Sequence, residues 1–145
     1  MLKQLLLFVP PAKGGGMEIN MNNENWNKWI PDNNLSKKYY VDEVIDSDEL
    51  SICLSDDSGK SLSITWNCIV ESYICSEEVN RNKLYSKSEV TEWTFFEVCK
   101  SNYINWLMEE SDGILNGESL HHICIVGINS VIDVVASDYP QIIYT

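Results

Sequence analysis

Two runs of strict alternation flank a single turn. Leu50, Ile52 and Leu54 alternate with Ser51, Cys53 and Ser55, and Leu62, Ile64 and Trp66 alternate with Ser61, Ser63 and Thr65. A period of two places all the apolar members of each run on one side of a pleated strand. Between them Asp56-Asp57-Ser58-Gly59 supplies side chains that bond their own backbone and a glycine free to take positive φ. An antiparallel hairpin is expected, one face apolar and the other small and polar. The apolar face demands a cover, which the remaining segments have to supply.

Tyr39, Val41 and Ile45 predict a preceding strand with these three on one side and Glu43 at its border. Cys68 to Ile74 predicts a further strand that extends the same sheet, Ile69 and Tyr73 facing one way and Val70 and Ile74 the other. Trp93 to Val98 is aromatic and β-favouring. Ser101-Asn102 then offers a helix cap ahead of Tyr103, Ile104, Leu107 and Met108, which share one helical face up to a stop at Gly113. Leu120 to Val126 and Val131 to Val135, joined through Gly127-Ile128-Asn129-Ser130, form a second hairpin. Near the start, Trp26 and Trp29 stand three apart, the spacing of a helical turn that Pro31 keeps short. Glu77 to Tyr85 is polar and without a clear period. These elements add up to one α+β domain, a mainly antiparallel sheet with one main helix packed on it.

At the N-terminus, Lys3 and the apolar Leu5 to Val9 imitate a secretory signal, but the run is short and Pro10-Pro11 interrupts it. Gly14-Gly15-Gly16 reads as a joint, so residues 1–16 are expected to be an appended extension and 17–145 the domain. A functional tail is the alternative. Five cysteines without a CxxC spacing sit inside apolar runs, the usage of a reducing, cytoplasmic setting. No apolar stretch approaches the roughly 20 residues that span a bilayer.

Charge bears most directly on partners. Twenty-two acidic residues face ten basic ones, a formal net charge of −12. Asp42, Glu43, Asp46, Asp48, Glu49, Asp56 and Asp57 fall in one stretch that holds no Lys, Arg or His. Such a field repels nucleic acids and anionic membranes and attracts basic proteins. The seven acids fit two roles, a solubilising surface around a hairpin or a binding face for a basic partner; the second is the sharper, since Arg81 is the only arginine in the chain. Tyr39, Tyr40, Tyr73 and Tyr85 lie close to acidic segments, where aromatic anchors would serve an interface.

Catalytic and metal signals are weak. His121 and His122, the only histidines, are adjacent on a strand and therefore point to opposite faces, a poor metal pair even with Cys124 or Asp133 nearby. Five cysteines and two histidines leave a Cys/His hydrolase as the enzyme alternative, but no nucleophile elbow, phosphate loop or His-Glu-x-x-His accompanies them. No cofactor or metal is expected. A general protein-interaction adaptor is a further alternative.

Two stretches carry a resemblance. One runs from Leu50-Ser51-Ile52-Cys53-Leu54 to Glu71-Ser72-Tyr73-Ile74-Cys75-Ser76-Glu77-Glu78. The other runs from Trp93 through Ser101-Asn102-Tyr103-Ile104-Asn105-Trp106-Leu107 to His121-His122-Ile123-Cys124-Ile125 and Asn129-Ser130-Val131-Ile132-Asp133-Val134-Val135. Together they resemble a family of small acidic immunity-type proteins, found mainly in Firmicutes and encoded beside secreted polymorphic toxins. In that family an Arg tends to follow the Ser-Tyr pair and an aromatic follows the His; Ile74 and His122 stand there in this chain, so no role is carried to them. The resemblance implies a cytoplasmic antidote that binds a cognate toxin domain and occludes its active site or substrate groove, with no catalytic residues of its own; the acidic field leads to the expectation that this toxin domain is basic.

Overall fold

The computed structural model describes residues 24–145, so the glycine joint and the boundary at Met17 lie outside the described residues. Nine strands among those residues form two antiparallel sheets. An outer sheet has the order β2 (Tyr40–Asp46), β3 (Leu50–Ser55), β4 (Ser61–Trp66), β9 (Gln141–Tyr144). A central sheet has the order β1 (Asn25–Lys28), β6 (Phe95–Cys99), β7 (His121–Val126), β8 (Ser130–Ala136), β5 (Val70–Glu77). The α+β reading holds, with the β-structure divided between two sheets.

The hairpin forms as its alternation requires. Leu54 pairs with Leu62, Ile52 with Ile64 and Leu50 with Trp66, and all six side chains are buried. Burying each contributes about 1.5–3 kcal/mol, enough to fix the register, since a slip of one residue would turn all six outward. At the turn the Asp56 carboxylate accepts the Ser58 and Lys60 N–H groups at 2.9 and 3.0 Å, and Gly59 takes φ +86°.

Pairing in the central sheet puts Ile123, Ile125, Ile132 and Val134 on one face and His122, Cys124, Asp133 and Val135 on the other. The first face closes a shared core with the hairpin. The second lies under a helical layer: a 3-10 segment (Glu78–Ser86), α1 (Ser88–Glu92) and the main helix α2 (Asn102–Glu110). Tyr103 of α2 packs on Ile74 and Val135, with Ile104, Trp106 and Leu107 beside it. The cap is the expected one, Ser101 Oγ accepting the Ile104 N–H at 3.0 Å, and the chain turns away through Gly113 at φ +88°.

Three expectations need correction. Trp26 lies in β1, not in a helical turn, because Asn25–Lys28 pairs with β6 and the indole packs on Phe96. The segment after Cys68 does not extend the hairpin sheet: β5 pairs with β8, as suits a strand covered on both faces, by the core and by the helical layer. In β2 a bulge between Val41 and Glu43 shifts the register, so Val44, rather than Ile45, joins the core with Val41, and Ile45 is exposed.

One turn sews the sheets together. Asn129, between β7 and β8, accepts the Val41 N–H and donates to the Val41 carbonyl, both at 2.8 Å, while the Ile128 N–H donates to Tyr39 O at 2.9 Å. Gly127 permits this approach, since a Cβ there would lie 2.9 Å from Val41 Cγ2 and 3.0 Å from the Ser130 carbonyl oxygen. Gly127→Ala is expected to destabilise the fold by about 1–3 kcal/mol, read as a lower urea midpoint at unchanged slope.

Candidate functional site

Two polar constellations among the described residues combine titratable side chains in a way that bears on function, one buried and one open. The buried one is built on Asp133, a carboxylate in the middle of an apolar strand and fully inaccessible. Arg81 of the 3-10 segment reaches it with Nη1 2.6 Å from Oδ2, and His122 Nε2 lies 2.7 Å from Oδ1. Ser101 Oγ lies 2.7 Å from His122 Nδ1. Burial alone would raise the Asp133 pKa, but the guanidinium and the imidazole hold it well below the usual carboxylate range. Asp133 is thus only an acceptor, and Nε2 carries the hydrogen between them. Tyr103 and Trp26 meet the imidazole edge-on, at ring separations of 5.5 and 6.5 Å.

Hydroxyl, imidazole and carboxylate in series are the components of a hydrolase triad. Here Ser101 is 4% exposed, His122 2% and Asp133 0%, and the serine oxygen is committed to the cap of α2. Cys124, the buried cysteine beside Asp133, has its thiol pushed well above its ordinary range by burial and by the carboxylate, the opposite of an activated thiolate. These groups face inward and hold the helical layer to the sheet. His121 points to the other face, as its position predicts, where it stands 4.3 Å from the Tyr139 ring.

The seven acids of the Asp42 to Asp57 stretch do not form one surface. Asp56 is consumed by the turn: the Ser36 and Ser58 hydroxyls and two backbone N–H groups lower its pKa to about 2. Asp57 is exposed beside it. Asp42 and Glu43 stand on the solvent side of the outer sheet near Cys53, whose thiol is pushed up by partial burial and by those two charges. Asp46, Asp48 and Glu49 cluster at the other end of β3, about 20 Å from the Asp56-Asp57 turn at the rise of an extended strand.

At that end the structure opens a cleft of about 740 Å³ lined by Asp46, Asp48, Leu50, Ile69, Glu71 and Tyr73 among others, with no lysine, arginine or histidine among the described residues of its wall. The Tyr73 hydroxyl donates to Asp46 at 3.0 Å, and its pKa is pushed up to about 12 by partial burial and that carboxylate. Ile69, on the loop before β5, is 65% exposed at the rim. Glu71 occupies the extra position of a β5 bulge. Sequence reasoning missed Glu71 and Ile69, which lie outside the acidic run and arrive through the pairing of β5 with β8. Among the proposed tyrosine anchors, Tyr39 is buried, Tyr73 lines this cleft, Tyr40 is exposed on β2 and Tyr85 is half-buried.

No protein-family model, curated protein or solved structure was found to match the chain. No helix of the described residues is long and apolar enough to cross a membrane.

Removing the cation from the buried pair strands the Asp133 charge. Arg81→Met is expected to lower stability by about 3–5 kcal/mol, and adding Asp133→Asn to recover part of that loss. The depressed pKa makes the Asp133 contribution complete above about pH 4 and lost as pH falls below it. Urea titrations from pH 7 to pH 2 should show that acid arm flattened in the double variant.

Proposed function

We propose that the protein is a binding module that captures a basic protein, and, following the family resemblance, that this partner is a toxin domain encoded beside it whose active site or substrate groove is occluded. The observation that carries this reading is the cleft between β2–β3 and β5, where Asp46, Asp48 and Glu71 gather with no cation among the described residues and Ile69 and Tyr73 supply apolar area. A carboxylate-lined recess suits a lysine or arginine side chain, and an exposed aliphatic group beside it adds the desolvated contact that distinguishes an anchor from a merely charged surface. The wider field from a net charge of −12 steers a cationic partner toward it before contact.

In this reading the acids act at different ranges. Asp46, Asp48 and Glu71 touch the partner, Asp42, Glu43, Glu49 and Asp57 act through the long-range field, and Asp56 serves the turn. The enzyme alternative finds no support in the Ser101, His122 and Cys124 region, because all three are buried, Ser101 and His122 are committed to the Asp133 network, and the Cys124 thiol is pushed away from the thiolate by burial and by Asp133.

The test is capture of the toxin domain encoded in the adjacent gene, followed by stopped-flow. Asp46→Asn, Asp48→Asn and Glu71→Gln combined should leave the circular dichroism spectrum unchanged and slow association by about tenfold or more. Asp57→Asn should matter far less. Association of the unaltered protein should slow steeply as salt is raised toward 0.15 M, where the screening length is about 8 Å. Equal rates for the triple variant and the parent would remove the cleft from the account.

A further inference from the structure

Among the described residues four strands are sheet edges, and three of them are guarded. β2 carries Asp42, Glu43 and Asp46 and a bulge, β5 carries Glu71 and Glu77 and a bulge, and β1 ends in Lys28. Charges and bulges of this kind block edge-to-edge pairing. β9 has neither: Gln141-Ile142-Ile143-Tyr144 is uncharged, pairs with β4 in unbroken register, and leaves Ile143 48% and Tyr144 45% exposed. Its free hydrogen-bonding groups can be assigned. The Thr145 N–H donates to Ser61 O at 3.2 Å, so the pairs one and two steps along alternate, and Ile143 and Gln141 bond to β4. The N–H and C=O groups of Ile142 and Tyr144 therefore point away from the sheet, with no partner among the described residues.

The geometry points to a second copy of this chain as the occupant, β9 pairing antiparallel with its own symmetry mate to join the two outer sheets into one of eight strands. The register is fixed by the outward groups. Ile142 of one copy and Tyr144 of the other exchange both hydrogen bonds, and the two-fold axis repeats the exchange, giving four bonds in all. Ile143 then meets its own counterpart across the axis, in the close spacing of a non-bonded antiparallel pair, on the solvent side of the sheet. Such a contact is self-complementary, as a closed dimer requires.

Among self-pairings, charge selects this edge. Two chains of net charge −12 repel, and pairing through β2 would set carboxylates opposite carboxylates. Pairing through β9 puts the two β2 strands at opposite margins, seven strand spacings or about 34 Å apart, several screening lengths at physiological salt. Asp32 stands near the seam, its carboxylate accepting the Tyr144 hydroxyl. The dimer leaves both clefts open and is independent of the basic-partner reading.

The experiment is sedimentation equilibrium of the full chain over a range of concentration and salt. The mass should rise toward twice 16.6 kDa, and dimerisation should tighten as salt screens the like charges, the reverse of the salt effect expected for a basic partner. Ile143→Lys, which opposes two lysines at the axis, should raise the dissociation constant by about tenfold or more with an unchanged circular dichroism spectrum. Tyr144→Pro, which removes an outward N–H that β4 does not use, should act in the same direction. Ile143→Cys should give an oxidised covalent dimer that the unaltered protein, treated alike, does not. A chain that stays monomeric at every concentration, or a dimer indifferent to both Ile143→Lys and Tyr144→Pro, would overturn the proposal.

Discussion

A carboxylate buried in the central sheet sets the terms for the layer above it. Uncompensated, the Asp133 charge would cost several kcal/mol. Its partners come from three places in the chain: His122 from the neighbouring strand, Arg81 from the 3-10 segment, and through the imidazole Ser101, which also caps α2. Meeting the demand of one charge thus fixes where the 3-10 segment and α2 sit. Apolar packing of Tyr103 on Ile74 and Val135 would tolerate some sliding; the hydrogen bonds, with their narrower geometry, do not.

The two faces of the sandwich are consequently unlike. The central sheet spends its polar groups inward and is covered. The outer sheet has its apolar face in the core and its other face, small and hydroxylated, open among the described residues. Ser51 and Thr65 hydrogen-bond each other across it at 2.8 Å, and Ser61 and Thr145 at 2.6 Å. Surface chemistry is therefore concentrated around this sheet, with the acidic cleft at one end and the uncharged edge of β9 along one side.

Local pattern was legible in the sequence and long-range pairing was not. Alternation in Leu50–Leu54 and Leu62–Trp66, the cap at Ser101 and the hairpin around Gly127-Ile128-Asn129-Ser130 are signals written within a few residues, and each formed as expected. The partner of β5, the β1 strand around Trp26 and the bulge after Val41 depend on segments far away in the chain, which periodicity does not report. The same limit applied to the acids. Nearness in sequence grouped Asp56 with Asp46, although a strand length separates them, and left out Glu71, which the fold brings to the cleft. An aspartate amid Val131-Ile132-Val134-Val135 and a lone arginine were the available signs of the buried network.

Recognition of a basic protein through the cleft is the central functional proposal, and amide hydrogen exchange on the complex with the proposed basic partner tests it most directly. The account predicts added protection in residues 46–50 and 68–73, with the α2 and β1 amides unchanged. Protection confined to the helical layer, with the cleft exchanging as in the free protein, would contradict it.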